Sequence, residues 1–191
     1  MEVNPDAELM LRLKNGEDLI LNELMTRWQE PLVGFIYRYI GRQTEALDLA
    51  QETFVRVYET RHRYSIRAKF STWLFAIAAN LCRNYLRWRQ KRGEPVPVPW
   101  DRQEAEGDKS PEASDDSPDE AAMRSESALL VRAAIDSLPH DLKAAILLYE
   151  YESLSYSEIS SVLECSVKAA EMKLYRARQL LREKLSRSDF R

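Results

Sequence analysis

Glycine, cysteine and histidine are scarce in this sequence of 191 residues, which holds five glycines, two cysteines and two histidines. No glycine-rich phosphate loop is present, and no nucleophile is paired with a base in a recognisable motif. Cys82 and Cys165 are far apart, so neither a disulfide framework nor a cysteine metal site is expected. Both are predicted to be small core residues inside helical segments. His62 and His140 are also isolated, so the sequence favours no enzyme, metal or cofactor.

Long apolar runs are absent as well. No window reaches the roughly 18 apolar residues that a membrane span needs, and the first ten residues, MEVNPDAELM, lack the apolar segment of a signal peptide. A hydrophobic content of 45% is nevertheless enough for a buried core. We therefore expect a cytoplasmic protein without membrane insertion.

The formal net charge of -3 conceals a strongly uneven distribution of charge. Residues 61–92 contain nine lysines and arginines and no acid, whereas residues 93–127 contain eleven acids and three bases. A patch of one sign on a nearly neutral chain indicates a charged partner.

Apolar residues recur at helical spacing in two blocks, residues 1–92 and 119–191. Between them, residues 93–118 are rich in proline, serine and acid and are expected to form a flexible linker. The sequence thus predicts an all-α fold of two small helical domains joined by a flexible acidic linker. In the free chain the two blocks are expected to move independently unless a partner fixes them.

In the first block, Gly16 and Gly41 are predicted to flank one helix, and Thr44 is predicted to cap the next. The helix after Thr44 has an inward apolar stripe of Leu47, Ala50, Phe54, Val57 and Tyr58. Its outer face carries Asp48, Gln51, Glu52, Val55 and Glu59.

The last helix of the first block is predicted to begin near Ser71 as N-cap, with Phe70 as a staple residue. One face is apolar and comprises Leu74, Ile77, Ala78, Leu81, Tyr85 and Trp88. Another carries Asn80, Arg83, Asn84, Arg87 and Lys91. Such a helix is typical of a nucleic-acid reader or of a core helix with a solvated end. A membrane-surface helix is disfavoured, because three preceding helices can cover its apolar face.

The second block is predicted to contain a helix-turn-helix. The first helix of the block is predicted to turn Leu129, Leu130, Ala133 and Ile135 inward. Further along, Ser155 and Glu158 predict a capping box at the start of the first helix of the helix-turn-helix. Ser166 is expected to cap the final helix, whose buried stripe is Val167, Ala170, Leu174, Ala177, Leu181 and Leu185. The opposite face of that helix carries Lys168, Met172, Tyr175, Arg176 and Gln179. This pattern suits the major groove of DNA, although a helical hairpin with a solvated face looks similar.

Three stretches resemble a known family: EALDLAQETFVRVYE, AKFSTWLFAIAANLCRNYLRWRQKR and LPHDLKAAILLYEYESLSYSEISSVLECSVKAAEMKLYRARQLLREKL. They are similar to bacterial sigma factors of the extracytoplasmic-function class of the sigma-70 family. The likeness covers roughly residues 8–92 and 127–186 in the family's order. It implies a dissociable subunit of RNA polymerase with two promoter-binding domains, a region 2-like domain at 1–92 and a region 4-like domain at 119–191.

The resemblance also implies three sets of contact residues. Core RNA polymerase would be bound by Asp48, Gln51, Glu52 and Val55. The minus-10 promoter element would be bound by Arg61, Tyr64, Lys69, Phe70, Ser71, Trp73, Asn80, Arg83, Asn84 and Arg87. The minus-35 element would be read by Lys168, Glu171, Met172, Lys173, Tyr175 and Arg176. Members of this class are commonly held by an anti-sigma factor, so such a partner is expected.

Three positions depart from the family pattern. Glu171 stands where a cation is usual, and it can accept a hydrogen bond from cytosine but repels phosphate. Glu164 stands where glycine is frequent, which costs backbone strain if its φ is positive. Leu47 replaces a common acid and either weakens polymerase affinity or enlarges the core. Two alternatives stay open: a sigma-like decoy that binds polymerase or a regulator without opening DNA, and a transcription factor that uses only its helix-turn-helix.

Overall fold

The computed structural model describes residues 5–93 and 128–188, and all regular secondary structure in these two ranges is helical. The predicted linker lies outside the described residues, apart from Gly93. The elements are α1 (Pro5–Lys14), α2 (Ile20–Ile40), α3 (Gln43–Thr60), a 3-10 turn (Arg61–Arg63), α4 (Phe70–Lys91), α5 (residues 128–136), α6 (His140–Glu150), α7 (Tyr156–Val162) and α8 (Val167–Ser188). The predicted all-α fold is confirmed.

The ends of the helices in the first block follow the sequence only in part. Helix α2 ends as predicted at Gly41, whose φ of 75° is left-handed and whose N–H bonds the carbonyl of Tyr37. Thr44 is not a cap, because α3 begins at Gln43 after Arg42. Ser71 is not a cap either, because α4 begins at Phe70 after Lys69. No side-chain hydrogen bond caps α3 or α4, so these starts lack the signal on which the predictions depended.

Aromatic rings join α2 and α4 in the core of the first block. Trp28 of α2 meets Phe70 and Phe75 of α4 edge to face, at centroid distances of 5.9 and 6.2 Å. Phe35 meets Phe75 in the same way at 5.2 Å. Such pairs add stability beyond the apolar area that they bury. They fix α4 along its first two turns, where the basic connector joins it.

Two apolar residues of the first block lie outside, not inside as predicted. Leu47 is 42% exposed, because the buried side of α3 is formed by Ala46 and Ala50. Trp88 is 48% exposed in the last turn of α4, where the guanidinium of Arg92 lies 4.1 Å from its ring centroid. Leu86 is buried in that turn instead.

The second block contains the predicted helix-turn-helix. Both halves of the capping box are present, since Ser155 accepts from the N–H of Glu158 while the Glu158 side chain accepts from the N–H of Ser155. Ser166 caps α8 by accepting from the N–H of Ala169 at 3.1 Å. Glu164, in the turn between α7 and α8, has a φ of 51°, so the predicted strain at this position is confirmed.

Some predicted inward positions of the second block are wrong. Leu129 and Leu130 are exposed, because the buried side of α5 is formed by Ala134 and Ile135. Val167 is also exposed, since it is the first residue of α8 and precedes the buried stripe. The prediction of two core cysteines holds for Cys82, whereas Cys165 is half-buried and lies in the turn, outside any helix.

The two blocks are packed against each other. Buried apolar residues of both belong to one continuous core, α4 contacts α7, and α2 contacts α6. Nothing in the sequence predicted this contact. The two helical regions themselves are as expected, and their independent movement in the free chain stays a prediction.

Candidate polymerase and nucleic-acid interfaces

The predicted polymerase-binding face of α3 is solvent-exposed. Asp48, Gln51, Glu52 and Val55 are three, one and three residues apart in turn, and all four are exposed. Val55 is 50% exposed, and Glu52 forms an ion pair with Arg56 at 2.8 Å. An apolar side chain flanked by carboxylates suits a partner surface that is basic around an apolar contact. Leu47 extends the apolar part of this face, so it does not enlarge the core.

The basic connector between α3 and α4 is folded back on its own backbone. Arg61 stacks on the ring of Tyr58 at 4.0 Å and donates to the Tyr58 carbonyl at 2.7 Å. The hydroxyl of Tyr64 donates to the carbonyl of Ala68 at 2.8 Å. Burial raises the pKa of Tyr64, so the ring stays neutral. The connector therefore presents its cations from a defined loop.

The three aromatic residues of the predicted minus-10 site form one cluster. Tyr64 lies 5.3 Å from Trp73, and Phe70 lies 6.3 Å from Trp73, measured between ring centroids. Phe70 is fully buried and Tyr64 is 4% exposed, whereas Trp73 and Ser71 are half-buried. Phe70 and Tyr64 are thus core residues, and the accessible part of the cluster is Trp73.

The polar stripe of α4 divides into a covered half and an open half. Asn80 and Arg83 are half-buried and joined by a hydrogen bond of 3.1 Å, whereas Asn84 and Arg87 are exposed. At the covered half, Arg83 is close enough to Asp141 of α6 for its charge to help lower the pKa of that carboxyl, although the hydrogen bond from Lys173 has the larger effect.

The predicted minus-35 face of α8 is open. Tyr175 is 63% exposed and Met172 is 42% exposed, and Lys168, Glu171 and Arg176 are exposed beside them. Lys173 differs from this group. Its Nζ lies 2.7 Å from a carboxylate oxygen of Asp141, and it is only half-buried on the side of α6. Lys173 therefore helps to fix α8 on α6 and lies apart from the free face.

The sequence revealed only one of the two roles of Glu158, which lies at the contact between the two blocks. Glu158, predicted only as a capping-box residue, also forms an ion pair with Lys69 at 2.8 Å. No local pattern links two residues so far apart in the chain.

Within residues 5–93 and 128–188, no group of three or more histidine, cysteine or acidic side chains is placed to hold a metal ion. No helix in these ranges is both long enough and apolar enough to cross a membrane.

Two family models match this chain. The model of sigma-70 region 2 matches residues 24–92, which include α3, the connector and α4. The model of sigma-70 region 4 matches residues 128–181, which include the helix-turn-helix.

Relatives are similar over nearly the whole chain. The RNA polymerase sigma-H factor of Pseudomonas aeruginosa is 33% identical over 92% of this chain and 91% of its own length. The ECF RNA polymerase sigma-E factor of Haemophilus influenzae is 32% identical over 94% of this chain and 95% of its own.

Solved structures share the fold. CnrH, in complex with the cytosolic domain of CnrY, superposes with a TM-score of 0.70 at 22% identity, over 96% of this chain and 98% of CnrH. The sigma factor RpoE of Bartonella quintana, in complex with the anti-sigma factor NepR, superposes with a TM-score of 0.67 at 19% identity. The match covers 88% of this chain and 98% of RpoE. With both regions present in order and relatives matched from end to end, the chain belongs to the extracytoplasmic-function group of the sigma-70 family and is an alternative sigma factor for promoter recognition and transcription initiation.

Proposed function

We propose that this sigma factor binds core RNA polymerase through Asp48, Gln51, Glu52 and Val55 of α3 and opens promoters through α4. The observation that carries the proposal is that this acidic face and the α8 face are both exposed on elements matched by regions 2 and 4. Exposed carboxylates around Val55 favour rapid and specific association with a basic surface.

At the minus-10 element, strand opening requires that an unstacked base be held outside the duplex. Trp73 offers a half-buried aromatic side chain, and Ser71, also half-buried, offers a hydroxyl in the same turn of α4. Lys69 and the stripe along α4 would neutralise phosphates and supply affinity that does not depend on sequence. The burial of Phe70 and Tyr64 supports a packing role for these two rings, which lie against Trp73.

At the minus-35 element, α8 would lie in the major groove with Lys168, Glu171, Met172, Tyr175 and Arg176 toward the DNA. Glu171 is exposed on this face, and its carboxylate can accept a hydrogen bond from cytosine N4. We therefore propose that Glu171 selects a promoter type with cytosine at the contacted position.

The wider setting follows from family membership. We propose an anti-sigma partner, because the structure of RpoE was solved with the anti-sigma factor NepR. We also propose that the chain acts in the cytoplasm, where it meets promoter DNA, and that it catalyses no reaction of its own. The domain limits of 1–92, 93–118 and 119–191 stay a proposal, with the region matches lying inside the outer two.

The test is in vitro transcription with the protein, purified core polymerase of its host and fragmented genomic DNA. Discrete RNA starts that require the protein and share two spaced upstream motifs support the proposal. Asp48→Arg should lower polymerase affinity and transcription together. The matched control, Glu30→Arg, changes an exposed acid of α2 outside the α3 face and should leave both unchanged. Polymerase binding without any start would favour a decoy.

A further inference from the structure

The two blocks meet through Glu158 of α7 and Lys69, the residue before α4. One carboxylate oxygen of Glu158 accepts from the N–H of Ser155 at 2.8 Å, and the other lies 2.8 Å from Nζ of Lys69. The Glu158 side chain is only 17% exposed. The capping box therefore holds this carboxylate in place against the cation.

A second group of contacts joins α2 to the other block. The hydroxyl of Tyr39 donates to the carbonyl of His140 at 3.3 Å, and the two rings are stacked. Arg38 lies over the ring of Tyr151 at 4.3 Å, and Arg132 of α5 lies over the ring of Tyr37 at 4.4 Å. Cations over aromatic rings add modest stability at such partly exposed sites.

The position of the contact bears on DNA binding. Lys69 and Arg83 belong to the proposed minus-10 face. Nζ of Lys69 lies 2.8 Å from a carboxylate oxygen of Glu158, and the charge of Arg83 helps to lower the pKa of Asp141. A carboxylate beside a lysine or arginine takes the place that a phosphate oxygen would occupy. Asn80 and Arg83 are half-buried, whereas Asn84 and Arg87, further along α4, are exposed.

We propose that the free chain inhibits itself: α7 packs on the start of α4, with Glu158 standing in for a DNA phosphate at Lys69. This inference rests on the proposed minus-10 assignment. Closed and DNA-bound states then exclude each other at Lys69, and the apparent affinity for single-stranded DNA is multiplied by the fraction of open molecules. The exposed α8 face stays available in the closed state.

The first test is the full-length variant Arg38→Glu. The substitution removes the cation that lies over the ring of Tyr151. It also places a carboxylate near Glu152, whose pKa is raised by burial and lowered by the charge of Arg38 in the parent. We expect the radius of gyration from small-angle X-ray scattering to rise. We also expect the affinity for a fluorescent single-stranded 20-mer of random sequence, measured by anisotropy, to rise roughly three- to tenfold, as for an open fraction that starts near one in ten. Because the variant is more negative than the parent, simple charge attraction would change the affinity in the opposite direction.

The second test separates the ion pair from the helix cap. Glu158→Gln keeps a side chain that can complete the capping box but loses the charge opposite Lys69, so it should also raise affinity and radius, by a smaller factor. Ser155→Ala removes the hydroxyl of the cap but keeps the charge of Glu158 and the backbone N–H that donates to its carboxylate, and Glu164→Gln removes an equal charge from the nearby turn. Neither control should reproduce the effect.

The outcomes distinguish this inference from the function on which it rests. Higher affinity together with a larger radius supports self-inhibition. If every variant binds the strand as the parent does, the minus-10 assignment stands and self-inhibition is wrong, whatever the radius. If no form binds the strand, open or closed, the minus-10 assignment fails and self-inhibition fails with it.

Discussion

Helices α4 and α8 are each 22 residues long and each carry a cationic stripe opposite an apolar one, yet they differ in accessibility. In the stripe of α4, Asn80 and Arg83 are half-buried, whereas Lys168, Glu171, Met172, Tyr175 and Arg176 on the face of α8 are exposed. The comparison teaches that the charge pattern of a helix identifies a binding face but not whether that face is free.

The largest effect of a single substitution is expected on the open face of α8, where DNA affinity should fall. Arg176→Ala should weaken binding of the free protein to double-stranded promoter DNA by about 1–3 kcal/mol if the guanidinium reaches a base edge. The matched control is Arg178→Ala, because Arg178 lies on the other side of α8, paired with Glu150 at 3.0 Å. The measurement is a titration of promoter DNA at constant salt, with polymerase binding measured in parallel. Equal losses for the two variants would remove the α8 face from the DNA interface.

The contact that covers α4 should depend on pH. Glu152 is partly buried, and burial raises its pKa to about 7, with the charge of Arg38 acting in the opposite direction. A pKa raised in the closed state stabilises that state below the ordinary pKa of the carboxyl, near 4.5, and the stabilisation is lost as pH rises through 7. Closure should therefore weaken between pH 4.5 and 7, by at most about tenfold per pH unit, and level off above pH 7, so that a change of only about fourfold remains between pH 6.5 and 8.

The measurement for this prediction is the radius of gyration at the two pH values. Glu152→Gln should abolish the change. His140 acts in the opposite direction, because burial and the charge of Lys143 lower its pKa, so values below pH 6.5 are less informative. If the radius of gyration is constant between pH 6.5 and 8, the burial that raises the pKa of Glu152 comes from the second block alone and not from the contact between the blocks.

A smaller effect is expected in the turn that positions α8. Glu164 has a φ of 51°, a conformation that glycine adopts without strain. Glu164→Gly should raise the free energy of unfolding by about 0.5–1 kcal/mol, after allowance for the greater freedom of glycine in the unfolded chain. Urea unfolding would measure it, with Glu164→Ala as the control that keeps the Cβ. An equal gain for alanine would assign the effect to charge.

Local chemistry explains which parts of this molecule were predictable. The glycine at position 41 and the pair Ser155 and Glu158 act within one turn of helix, so their sequence patterns were sufficient. The starts of α3 and α4 have no side-chain cap, and these were predicted wrongly. The exposure of Trp88 and the pairing of Glu158 with Lys69 depend on packing between distant segments, which periodicity alone does not contain.

The comparison can be sharpened within α4 itself by removing one arginine from each half of its stripe. In the closed parent, Arg87→Ala should lower the affinity for single-stranded DNA a few-fold and reduce the salt slope by about 0.7, because Arg87 is exposed. Arg83→Ala should do less, since Arg83 is half-buried and faces Asp141. In the Arg38→Glu background both losses should become equal. The radius of gyration of each variant serves as the control, because removal of Arg83 can itself loosen the contact with Asp141. Equal losses in the parent, at an unchanged radius, would mean that the half-burial of Arg83 does not hinder its contact with DNA.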